Sequence, residues 1–147
     1  MIKLRPANDS DVEWLFLMCE DFAAFYQSKI SLAGNRDYGI LFLQDLVAKH
    51  YVRIALKDGH RVGFIAGFVS PHHFNPDIRQ LAELLWWVMP EHRNSGAGAA
   101  LFMDFVKFGE TECDWISFTL ENNSPVNDNF LIKRGFKATE KAYLKEC

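Results

Sequence analysis

The stretch Leu84-Leu-Trp-Trp-Val-Met-Pro-Glu-His-Arg-Asn-Ser-Gly-Ala-Gly-Ala99 constrains this chain more than any other. Leu84–Met89 is a nearly continuous apolar run, the pattern of a central strand covered on both faces, and Pro90 ends it. A short loop of small residues follows, and Gly96–Phe108 then takes up helical spacing through Ala97, Ala100, Leu101, Phe105 and Phe108. A strand that runs through such a loop straight into a helix delivers unpartnered first-turn amides and the positive end of the helix dipole to one place. Gly96 and Gly98 let a ligand approach the backbone without meeting a Cβ, and Arg93 adds positive charge. Those features make a seat for a phosphate or pyrophosphate. The plainer alternative is that the small residues only let the helix pack closely on the sheet. Against it, each glycine costs roughly 1 kcal/mol relative to alanine in a helix.

Two other phosphate cradles do not fit. A P-loop needs Lys and then Ser or Thr after its second glycine, and Ala99-Ala100 stand there. A dinucleotide fingerprint belongs on the first strand of its fold, whereas this loop lies past the middle of the chain.

The rest of the chain supplies a mixed sheet. Ile2 and Leu4 alternate with Lys3 and Arg5 as a first strand closed by Pro6. Asn8-Asp9-Ser10 offers helix caps, with Ser10 and Glu13 spaced as a capping box. A helix follows with Val12, Leu15, Cys19, Phe22 and Tyr26 on one face, widened by Trp14, Leu17, Met18 and Phe25. Ser28–Asp37 reads as a loop, and a second helix runs from about Tyr38 to His50. Strands at Tyr51–Leu56 and Val62–Val69 flank Asp58-Gly59, a two-residue hairpin signal, and Pro71–Asp77 is a loop. After the central helix, for which Gly109 is the expected stop, come a strand at Trp115–Leu120, a helix over Pro125–Arg134 and a last strand centred on Ala142–Leu144. The expectation is an α/β (α+β) domain spanning residues 1–147, with one mixed, mostly antiparallel sheet flanked by helices.

At 147 residues with a hydrophobic fraction of 49%, the chain can fill one core. A net charge of -3 argues against a partner made of phosphate backbone, so no nucleic acid is expected. Cys19, Cys113 and Cys147 form neither a disulfide framework nor a zinc signature, which suits a reducing cytoplasm. The start, Met1-Ile-Lys-Leu-Arg-Pro, lacks the apolar core of a signal peptide, and no apolar run reaches membrane-spanning length, so no membrane is expected as a partner.

Arg93-Asn94-Ser95-Gly96-Ala97-Gly98 resembles the Arg/Gln-x-x-Gly-x-Gly/Ala signature of the GCN5-related N-acetyltransferases, and Val88-Met89-Pro90 resembles the Val-x-Pro that precedes it. Lys133-Arg134-Gly135-Phe136 looks like the Gly-Phe ending of that family's last helix, and the element order covers nearly the whole chain. The resemblance implies acetyl-coenzyme A (acetyl-CoA) in a V-shaped split between the Leu84–Met89 and Trp115–Leu120 strands. Val88 would bind the pantetheine arm through its backbone. The amides of Arg93, Asn94, Ser95, Gly96, Ala97, Gly98 and Ala99 would hold the pyrophosphate. It further implies direct acetyl transfer to a primary amine of a small molecule, peptide or protein, and it admits a homodimer.

Such transfer needs a base for the ammonium and an acid for the leaving thiolate. Glu83, opening the central strand, is the first choice for base; His72 and His73 in the preceding loop are the alternatives, and His92 beside the phosphate loop reads equally as a candidate or as only a surface residue. Many relatives carry a Tyr four residues before the Gly of Gly-Phe, where this chain has Leu131. The usual Asn early in that segment is displaced too, with Asn122, Asn123, Asn127 and Asn129 nearby. Tyr143 on the last strand, or water, is then the acid. Cys19 and Cys113 lack a neighbouring histidine and read as buried small residues, and Trp86-Trp87 as core and cleft wall. The substrate cleft is expected among Ser28–Asp37, Pro71–Asp77 and the last hairpin. Two competing readings remain: a binding module that keeps the fold without turnover, favoured by Leu131, and a toxin acting on aminoacyl-tRNA, which the acidic charge disfavours.

Overall fold

Asp58 and Gly59 both take left-handed backbone angles, φ 51° and 80°, the geometry of a two-residue hairpin whose twist matches its strands. That turn joins β2 (Tyr51–Lys57) to β3 (His60–Pro71) in a computed structural model that describes residues 1–26, 35–145 and 147. The other elements are β1 (Ile2–Pro6), α1 (Val12–Phe25), α2 (Arg36–Lys49), β4 (Arg79–Val88), α3 (Ala97–Glu112), β5 (Trp115–Ser117) and α4 (Asp128–Ile132). The strands form one sheet in the order β1-β2-β3-β4-β5, antiparallel except for the parallel β4–β5 pair.

Alternation along the strands splits the core into two layers. Val52, Ile54, Phe64, Ala66 and Trp87 face α1 and α2, meeting Leu15, Phe16, Leu43 and Leu46. Tyr51, Ala55, Ile65, Leu81 and Val88 belong to the opposite layer with Ala97, Leu101 and Phe105 of α3. Asp104, the polar position on the apolar stripe of α3, accepts the Tyr51 hydroxyl and lies 3.2 Å from Arg53 Nε. Partly exposed and paired in this way, a carboxylate is tolerated on the stripe.

The sequence places the N-terminal capping box two residues late. The reciprocal bonds run between Asn8, whose Oδ1 accepts from the Ser10 amide at 2.9 Å, and Asp11, whose Oδ2 accepts from the Asn8 amide at 2.9 Å. Asp11 is drawn inward by Arg5 and Arg61, while Glu13 turns outward to Arg36 of α2. Residues 27–34 of the expected Ser28–Asp37 loop lie outside the described residues, and α2 already begins at Arg36. Gly109 does not stop α3: a Cβ there would sit 2.4 Å from Ile116, so its role is close approach to β5.

The β4 strand begins at Arg79, five residues before the apolar run, and carries a bulge. Ala66 pairs with Leu85 and Gly67 with Glu83, leaving Leu84 as the extra residue. The expected Trp115–Leu120 strand is only three residues long, and α4 is shorter than Pro125–Arg134. A last strand at Ala142–Leu144 is not formed: residues 137–145 make no ladder, and Tyr143 is 88% exposed. Charged side chains interrupt that segment, and Ala138 and Ala142 offer little apolar surface to hold it on the edge of β5.

Candidate active site

The parallel ladder between β4 and β5 has three rungs, Gln80–Trp115, Leu81–Ile116 and Ala82–Ser117, and then ends. Glu83 is the first residue beyond the last rung. From the bulge onward β4 continues alone to Val88, and its edge on this side stands open. The Met89 amide donates to Val62 O at 2.9 Å, so the neighbouring Val88–Gly63 pair is a non-bonded one, with the Val88 backbone groups aimed away from β3 toward the open edge. The Val88 carbonyl is occupied by Arg93 Nε at 3.1 Å, and its N–H remains for another acceptor.

A single 3₁₀ turn, Pro90–His92, leads from β4 to α3, and Gly96 caps that helix with φ 87°. Its left-handed angle accounts for glycine there. Gly98 has no such reason: a Cβ on it would meet only Val88 Cγ2, at an ordinary 3.7 Å. Close packing of α3 on the sheet therefore does not require Gly98. The first turn of α3 has no acidic residue and no N-cap side-chain bond, and only the Ala97 amide finds a side chain, Ser95 Oγ at 3.3 Å. Among the described residues the amides of Asn94, Gly96, Gly98 and Ala99 have no partner. Uncompensated donors at a positive helix end suit the phosphates of a nucleotide-bearing cofactor.

The Arg93 side chain does not join those amides. Its guanidinium lies 4.5 Å from the Phe25 ring centroid and 4.7 Å from that of Trp87, on the α1 side of the sheet.

Glu83 is half-buried, with its carboxyl crowded by protein atoms where the strands part. Burial pushes its pKa up to about 7; the Thr119 amide, donating to Oε1 at 3.3 Å, opposes this, and the Glu121 charge adds to it. A carboxyl poised near neutrality and aimed across an open split is equipped to take a proton.

His72 and His73 sit at the opposite end of β4, where the His72 ring packs edge-on against Trp115 at 5.0 Å, and they are not brought to the open edge. Tyr143 is on the unpaired C-terminal segment. Leu131 contributes only its carbonyl, which accepts from the Phe136 amide at 3.2 Å. That bond, with Gly135 at φ 90°, closes α4 in a Schellman turn. The Cys19 thiol is pushed up to about 12 by burial, and burial raises that of Cys113, so neither is a thiolate at neutral pH. No group of three metal-binding side chains occurs among the described residues. Sequence reasoning missed Thr119 and Glu121 as the neighbours that set Glu83; the expected Trp115–Leu120 strand carried Thr119 only as a strand residue and stopped before Glu121.

Known proteins agree with this architecture. The family described as Acetyltransferase (GNAT) family matches residues 14–136. A GCN5-related N-acetyltransferase from Ralstonia eutropha JMP134 superposes with TM-score 0.76 at 20% identity, covering 99% of each chain. An acetyltransferase from Trypanosoma brucei superposes with TM-score 0.73 at 19% identity, covering all of both chains. A transcriptional regulator from Bacillus halodurans C-125 reaches TM-score 0.78 at 16% identity, again over both whole chains. No curated protein matches the sequence. With the family matched over most of its length and the strand–loop–helix signature set beside an open split, the chain belongs to the GNAT acetyltransferase family.

Proposed function

We propose that this protein transfers an acetyl group from acetyl-CoA to a primary amine of a small molecule, peptide or protein, directly and without a covalent enzyme intermediate. The observation that carries the reading is the single open edge of β4, which has Glu83 at its closed end and runs through Val88 into the uncapped start of α3. Five residues of strand, roughly 16 Å, separate the two ends. An extended donor fits such an edge, with its phosphates at Asn94, Ser95, Gly96, Ala97, Gly98 and Ala99 and its arm on the Val88 N–H.

Glu83 takes the proton from the acceptor ammonium. The freed amine nitrogen attacks the thioester carbonyl, gives up its second proton to solvent as the carbon–sulfur bond breaks, and the thiolate leaves with the bonding pair. A thiolate with a pKa of roughly 8.5 is stable enough to take its proton from water, and Tyr143 is the side-chain alternative. A carboxyl that burial raises to about 7 beside the open edge is suited to take a proton, which supports turnover over an inert module.

The three cysteines are unpaired, as in a reducing compartment, and no described helix is long and apolar enough to cross a membrane. A cytoplasmic setting follows as part of the proposal. The test is release of free thiol from acetyl-CoA in the presence of a panel of primary amines. Amine-dependent release that vanishes in Glu83→Gln supports the reading, and release that ignores Glu83 removes its base.

A further inference from the structure

Arg93 stands first in the signature loop, and its charge invites the role of phosphate ligand. The geometry points elsewhere: we propose that Arg93 is a positioning residue, a strut that ties the phosphate loop to the open edge of β4 and to the C-terminal end of α1. The inference rests on the acetyl-CoA reading of the loop but not on Arg93 touching that donor.

Three contacts fix the side chain. Nε donates to the Val88 carbonyl at 3.1 Å, and the guanidinium stacks at 4.5 Å and 4.7 Å from the Phe25 and Trp87 ring centroids. Trp87 is only 3% exposed and belongs to the α1–α2 layer, whereas Ala97 at the start of α3 belongs to the opposite layer with Val88. The guanidinium therefore lies across the sheet from the amides it would have to assist. Phe25 and Trp87 are themselves in edge-to-face contact at 5.4 Å, and Phe22 and Tyr26 complete the aromatic group around Trp87. A planar guanidinium can bond through its edge and stack through its faces together, which an ammonium cannot.

The strut has two consequences for the site. It consumes the Val88 carbonyl, so that residue offers the donor's arm only its N–H. It also joins the C-terminal end of α1 to the loop that holds the donor, so the two cannot shift independently.

The test uses the intact chain with Arg93→Met and Arg93→Lys, each titrated with acetyl-CoA and with S-acetyl-pantetheine, which lacks phosphates. A strut predicts that both variants weaken both donors by the same factor, on the order of tenfold, because a displaced loop and arm site affect each. The salt dependence of acetyl-CoA binding stays as in the native protein. A phosphate ligand predicts the reverse: loss confined to acetyl-CoA, a flatter salt dependence, and recovery in Arg93→Lys. Independently of any donor, Arg93→Met and Phe25→Leu are combined and followed by thermal unfolding. The strut predicts that each lowers the melting temperature by about 3 °C and that the double variant loses clearly less than the sum. Additive shifts overturn the strut. If the native protein binds neither donor, the proposed function fails, and the unfolding cycle still decides whether Arg93 is the tie described.

Discussion

In its proposed role as base, Glu83 would serve chemistry at a cost to stability. Its carboxyl is raised by burial to about 7, so the rate constant kcat/KM should climb with pH and level off above about 7 as the base loses its proton. Glu83→Gln should lower kcat roughly 100-fold or more and flatten that rise, which a pH–rate profile measures. The same shift has a signed effect on folding. The folded state holds this proton more tightly than the unfolded chain does, so Glu83 withdraws stability as pH rises from about 4.5 to about 7. Glu83→Gln should therefore melt near the native temperature at pH 4.5 and about 5 °C above it at pH 8, an effect on the order of 2 kcal/mol. The residue was legible in the sequence as a carboxylate opening the central strand. Its raised pKa was not, because that depends on where β5 ends and on Thr119 and Glu121 beyond it.

Individual elements are held together by pairings between distant residues. Asp11, fully buried, joins β1, β3 and α1: Arg5 meets its carboxylate at 2.7 and 2.8 Å, and Arg61 Nε at 2.8 Å. Burial opposes its charge, but the bonds from Arg5, the Asn8 amide and Arg61 outweigh that and hold its pKa at about 2. A depressed pKa gives stability that is complete above the ordinary carboxyl range and lost as pH falls from about 4 to about 2. Asp11→Asn should cost about 3 kcal/mol in urea unfolding at pH 7, with the difference from the native protein shrinking below pH 4. The capping box is expected at Ser10 and Glu13 because local spacing fits both placements; the pairing of Asp11 with Arg5 and with Arg61, fifty residues away, selects Asn8 and Asp11. The hairpin at Asp58-Gly59 and the strand–loop–helix around Arg93 were readable because their signals are local. The bulge at Leu84 and the early end of β5 were not, since a ladder's length depends on which strand arrives beside it. The expected strand at Ala142–Leu144 failed for the same reason: no neighbouring strand pairs with it.

At the scale of the whole molecule, a five-stranded sheet with helices on both faces opens along one side of β4, and the proposed chemistry occupies that opening. The account depends on the uncapped start of α3 being a phosphate seat, and Gly98 gives the most direct way to examine it. Glutamate at that position should be accepted by the free protein, since its Cβ has room and a negative charge in the first turn favours the helix by about 0.5 kcal/mol. The same side chain would fill and repel a phosphate site. The decisive measurement is a thermal-shift titration with acetyl-CoA on the native protein and on Gly98→Glu. The account predicts that the native melting temperature rises with acetyl-CoA, while Gly98→Glu starts at or above the native value and does not move. A native protein left unmoved by millimolar acetyl-CoA, or a variant that rises as the native protein does, would contradict it.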